Sequence, residues 1–150
     1  MKKKSILLLL TLLAPLPRAV AELNPRQIYQ QAGPAVVLLL CAGRDGAGEL
    51  GTGSIIDDKG RILTNAHVVL RGSTGQPFET IRVYRKPARV TGDSKLDLVD
   101  PLEARVLKWD RGLDLALLEF KEAPEGLEAI ALGDSDAVEA GEPVVAIGHP

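Results

Sequence analysis

The 150 residues carry 20 acidic side chains against 18 basic ones, a formal net charge of −2. Scattered charge of this kind argues against a nucleic-acid binder, which needs a clustered basic face. Only 3% of residues are aromatic, so Val, Leu, Ile and Ala must pack the core, and the single cysteine, Cys41, excludes an intramolecular disulfide.

At the N-terminus, Lys2, Lys3 and Lys4 precede an apolar run from Ile6 to Leu13 and the small-x-small triplet Ala19-Val20-Ala21. That is the layout of a secretory signal peptide over residues 1–21. The run is too short to cross a bilayer as a helix, and no later stretch is long enough, so no stable membrane span is expected. Glu22 follows the cleavage point, which gives no support to lipid attachment at a new N-terminal cysteine. Cleavage removes Lys2, Lys3, Lys4 and Arg18, taking the 18 basic residues to 14 against 20 acidic ones, a net charge of −6. The expectation is an exported protein, periplasmic or secreted. Lys59, Arg61, Arg82, Arg85, Lys86 and Arg89 then read as solvated strand edges and loops.

Asn24 as N-cap and Pro25 at the first helical position predict a short helix over Arg26 to Ala32, ended by Gly33-Pro34. Ala35 to Cys41 is an apolar, β-branched-rich run of strand length. Gly43 to Gly51 reads as a loop. Gly53 to Ile56 and Arg61 to Thr64 flank the turn sequence Asp57-Asp58-Lys59-Gly60 and predict a β-hairpin. Arg71 to Phe78 is a polar connection. Strands are expected at Thr80 to Tyr84, Leu102 to Leu107 and Leu113 to Phe120, with Trp109 to Gly112 as a turn. Ile130 to Leu132 and Val144 to Ile147 close the series, the last starting after a junction at Gly141-Glu142-Pro143. Many short strands, turns about every ten residues and little helix point to an all-β barrel or sandwich.

Two of these runs carry chemistry at their mouths. In Leu63-Thr64-Asn65-Ala66-His67-Val68-Val69 a histidine sits between a small residue and two β-branched ones. In Asp114-Leu115-Ala116-Leu117-Leu118 a carboxylate opens an apolar run. Imidazole has the near-neutral pKa that a general base for a hydroxyl needs. A carboxylate on its other ring nitrogen selects the tautomer that faces the nucleophile. A metal site is the poorer reading, because His67, His149 and Cys41 lack ligand spacing.

Together with Gly51-Thr52-Gly53-Ser54-Ile55-Ile56, Leu132-Gly133-Asp134-Ser135-Asp136 and Val144-Val145-Ala146-Ile147-Gly148-His149-Pro150, these motifs resemble trypsin-like serine peptidases of the bacterial HtrA (Deg) type. The resemblance runs from about Ile28 to Pro150, with a variable stretch at 71–101. It implies an all-β fold: the six-stranded Greek-key barrel that is the first of a chymotrypsin-like double barrel, over residues 22–141. Residues 142–150 would then be the first strand of a second barrel. It also implies His67 as base, Asp114 as its orienting carboxylate, a small Ala66 that admits Asp114, and Gly51 and Gly53 packed closely behind the site. Protein or peptide substrates are the implied partners, without a cofactor. A homo-oligomer is within the family's range, but residues 22–34 are too generic to specify one.

The nucleophile does not follow from the resemblance. Ser135 is the one serine after Asp114, but Asp136 puts a negative charge where an oxyanion would form. It also follows Asp114 too closely for a second barrel to intervene. Cys41 precedes His67 at the end of an apolar run and reads as a buried, inert thiol. The expectation is the N-terminal part of an exported serine endopeptidase whose serine lies outside these 150 residues and which does not cleave peptides alone. The alternative is a non-catalytic, single-barrel protein-binding relative.

Overall fold

A computed structural model describes residues 24–149. The expected signal peptide lies outside them. Helix α1 (Pro25–Ala32) starts at a capping box: the Asn24 side chain accepts from Gln27 N, and the Gln27 side chain accepts from Asn24 N, each at 3.0 Å. A single 3₁₀ turn, Gly33–Ala35, follows. Six strands come next: β1 (Val36–Ala42), β2 (Gly48–Ile55), β3 (Arg61–Thr64), β4 (Thr80–Arg85), β5 (Leu102–Asp110) and β6 (Leu115–Phe120). They close into an antiparallel barrel in the order β1-β2-β3-β6-β5-β4. Two one-turn helices interrupt the strands, α2 (Ala66–Val69) and α3 (Ser94–Asp97). No helix among the described residues is long and apolar enough to cross a membrane.

The barrel interior follows the two-residue period of strands. Val37, Leu39 and Cys41 of β1 point inward, as do Ile55, Ile62, Val83, Ala104 and Leu118 from the other five strands. Burying each Val, Leu or Ile stabilises the fold by about 1.5–3 kcal/mol. Gly51 and Gly53 stand opposite Leu39 and Val37 in the ladder, on the interior side. The room they leave is filled. A Cβ on Gly51 would lie 2.4 Å from Val68 Cγ1, and one on Gly53 would lie 2.6 Å from Ile62 Cγ2. Helix α2 therefore plugs one end of the barrel with Val68, against a strand that carries no side chain at that point.

Several boundaries differ from expectation. The segment read as a loop over Gly43–Gly51 is half strand: its turn closes by Gly43 N to Ala47 O at 2.8 Å, and β2 begins at Gly48 opposite Ala42. Gly48 and Gly51 reflect close packing, whereas Gly46 takes the left-handed conformation of the turn, with φ +82° and open space around it. Strand β5 runs on to Asp110 because a bulge between Val106 and Lys108 resets its register with β6. Helix α3 was not expected, although Asp93 caps it through Lys95 N at 2.9 Å.

Ile130–Leu132 and Val144–Ile147 form no strand. Ile130 N donates once, to Ile55 O at 2.8 Å, while Val144 is 82% exposed. The six-stranded barrel is already closed without them, and beyond that one bond to the end of β2 neither run joins its ladders.

Candidate active site

Helix α2 is short because its surroundings are. Strand β3 ends at Thr64, and Leu70 leaves the turn in extended conformation to bridge with Pro77. This one turn places Val68 and Val69 in the barrel mouth and leaves His67 outside, with its side chain 69% exposed. The ring thus stands on a helical turn anchored by its neighbours.

Asp114 comes from the turn between β5 and β6. Its backbone has φ +51°, a left-handed conformation that Asp and Asn tolerate better than most residues. Asp110 shapes the same turn, its Oδ1 accepting from Gly112 N at 2.8 Å and Leu113 N at 3.0 Å.

The two segments meet through five hydrogen bonds. Ala66 N donates to the Asp114 carbonyl at 3.1 Å, and with only a methyl group Ala66 allows that approach. His67 N donates to Asp114 Oδ1 at 2.9 Å, and His67 Nδ1 lies 2.7 Å from Asp114 Oδ2. Asn65 Nδ2 reaches both the Asp114 carbonyl, at 3.1 Å, and Oδ2, at 3.2 Å. The His67 backbone N–H above all, then its ring, then the Asn65 amide hold the Asp114 carboxyl below the usual carboxylate range. An ionised carboxylate only accepts, so Nδ1 carries a proton, and in the neutral ring this leaves the lone pair on Nε2. Such a ring can take a proton from a hydroxyl placed against Nε2.

Asn65 is the residue that sequence reasoning passed over. It occupies the N-cap position of α2, yet its side chain makes no cap bond and goes to Asp114 instead. Its place two residues before His67 was the available signal. Arg71 was also missed. Its guanidinium donates to Glu79 Oε1 at 2.7 Å and pairs with Asp45, tying the start of the loop after α2 to the residue just before β4 and to the β1–β2 turn. No sequence spacing links those three residues.

The other residues weighed from the sequence stand apart. Ser135 sits in an exposed 3₁₀ turn capped by Asp134, and makes no hydrogen bond with His67. Cys41 is fully buried in the barrel, where desolvation first, and the Glu49 charge second, push its thiol up to about 12. Such a thiol has almost no nucleophilic thiolate at neutral pH. His149 does not join His67. Its backbone N donates to Thr52 Oγ1 at 2.9 Å, and burial holds its ring below the usual histidine value. Thr64 Oγ1 donates to Thr52 O at 2.7 Å, so Thr52 links the residues before α2 to the segment at 148–149.

The closed six-stranded barrel places this chain in the chymotrypsin-like class of all-β proteins. Residues 51–150 match the trypsin-like peptidase domain, and the chain belongs to that family. It is similar to the magnetosome formation protease MamE of Magnetospirillum gryphiswaldense, 38% identical over 101 residues, which cover 67% of this chain and 11% of MamE. It is also similar to the periplasmic serine endoprotease DegP of Escherichia coli K12, 35% identical over 102 residues, 67% of this chain and 18% of DegP. Among solved structures, an HtrA-type protease AlgW with a tripeptide superposes with a TM-score of 0.58 at 26% identity, over 77% of this chain and 32% of that one. The chain thus spans less than a third of the length of these relatives.

Proposed function

We propose that this chain supplies the base half of an exported serine endopeptidase, with His67 as general base and Asp114 as its orienting carboxylate. The observation that carries the reading is the double grip of Asp114 on His67, by the ring at 2.7 Å and by the backbone N–H at 2.9 Å. A carboxylate held at two points fixes both the tautomer and the direction of the ring, which is the role of the acid in a Ser-His-Asp triad. The hydroxyl nucleophile and the oxyanion donors come from a segment beyond residue 150, in keeping with the His, Asp, Ser order of trypsin-like enzymes. Residues 142–150 lead into that second barrel, and exposed Val144 awaits its partner strand there. Export follows from the signal-peptide pattern of residues 1–21, and the named periplasmic location of DegP supports it. Protein substrates are the natural class for such a site.

The test uses the gene product extended past Pro150 beside the 150-residue chain, each treated with a fluorophosphonate probe and with casein. The extended product is expected to label and to cleave casein, both lost on His67→Ala, while the 150-residue chain does neither. Casein hydrolysis by the short chain that depends on His67 would overturn the split-site reading. An extended product that never labels would overturn the peptidase reading.

A further inference from the structure

Resting on the peptidase reading, we propose that Arg111 determines specificity: the substrate side chain seated beside His67 is acidic, and its carboxylate pairs with the Arg111 guanidinium. A cleft of about 350 Å³ opens next to the His67–Asp114 pair, and Glu49, Arg71, Gly75 and Arg111 contribute to its walls. The charges of this cleft are unequally satisfied. Arg71 is neutralised by Glu79 and Asp45. The two carboxylates nearest Arg111 in sequence are both engaged elsewhere, Asp110 by the amides of Gly112 and Leu113, and Asp114 by His67 and Asn65. Arg111 is exposed and forms no ion pair among the described residues.

Its position is nonetheless defined. A Cβ on Gly75 would lie 2.5 Å from Arg111 Nη1, so the guanidinium rests directly on the backbone of the loop that follows α2. Gly75 has φ +66°, the left-handed region that favours glycine, and carries no side chain between that backbone and the guanidinium. An arginine laid across the cleft in this way offers paired N–H donors to a carboxylate. Glu49 stands on β2 at the same cleft, also without an ion pair among the described residues. Its charge repels an acidic group from that wall, which directs such a group to the Arg111 wall.

Binding tests this without requiring catalysis. The isotope-labelled 150-residue chain is titrated with two blocked peptides that differ only in Glu against Gln, following the Gly75 amide and the His67 ring by NMR. The Glu peptide is expected to bind about two- to five-fold more tightly, the range of a solvent-exposed ion pair. Arg111→Gln should equalise the two peptides and Arg111→Lys should keep part of the preference, with unchanged β1 amide signals showing that each variant is folded. Equal binding to the wild type, binding of neither peptide, or a preference that survives Arg111→Gln would each overturn the assignment. The peptidase reading is judged separately by the His67-dependent labelling, so either can fail while the other stands.

Discussion

Replacing Gly51 by Ala tests how the His67 helix is seated. The added Cβ would lie 2.4 and 2.6 Å from the two Cγ atoms of Val68 and 3.1 Å from its Cβ. Val68 is β-branched and 6% exposed, on a helical turn, so it cannot rotate out of the way. Gly51 does not have a positive φ, so its backbone accepts Ala and the collision alone opposes the substitution. Overpacking of this kind costs about 1–3 kcal/mol, and the reduced freedom of the unfolded chain offsets about 0.4–1 kcal/mol. A net loss of about 1–2 kcal/mol is expected. Val68→Ala alone removes two buried methyl groups and leaves a small void, a loss of about 2 kcal/mol. In the double variant the clash is gone, so its loss should fall short of the sum of the singles by about 1 kcal/mol or more. Urea unfolding followed by circular dichroism measures all four midpoints, with an unchanged m-value as the check that the states compared are the same. A Gly51→Ala variant as stable as wild type, or strictly additive singles, would refute the claim that Gly51 exists to seat Val68.

Further outcomes follow from the same contacts. In the gene product extended past Pro150, Asp114→Asn should lower kcat/KM for a peptide substrate by about 10³- to 10⁴-fold, because an amide no longer enforces the Nδ1–H tautomer; steady-state kinetics measures it. Asp57, Asp97, Glu103 and Asp114 all have their carboxyls held below the usual range. Their contribution is present above the unfolded-state values near 4 and is lost as the pH falls toward the lower folded-state values, so urea midpoints should drop below about pH 4. Cys41 should resist a disulfide reagent at pH 8 in the native chain and react once urea unfolds it, as read by thiol absorbance.

The local patterns were legible because they depend on neighbours in the chain. Asn24, Pro25 and Gln27 specify α1 by capping chemistry alone. The Asp57–Gly60 turn was read correctly for the same reason, its Asp57 Oδ1 accepting from Lys59 N at 3.1 Å and Arg61 N at 2.9 Å. Where a segment's state depends on a distant partner, sequence pattern misled. Gly48–Gly51 has the composition of a loop and is a strand, because β1 pairs with it and Val68 needs its bare backbone. Val144–Ile147 has the composition of a strand and is not one, because no ladder adjoins it among the described residues.

The chemistry divides in the same way. The order and identity of His67 and Asp114, together with the glycines behind them, could be read from the sequence, since a residue's type fixes which groups it can offer for bonding, whereas its surroundings then shift its pKa, as at Asp114 and Cys41. Only the tertiary structure brought a left-handed Asp114 against a one-turn helix, recruited Asn65 to the carboxylate and left Arg111 beside it without an ion pair among the described residues. Those relations join strands β3, β5 and β6, and barrel closure sets the distances between them.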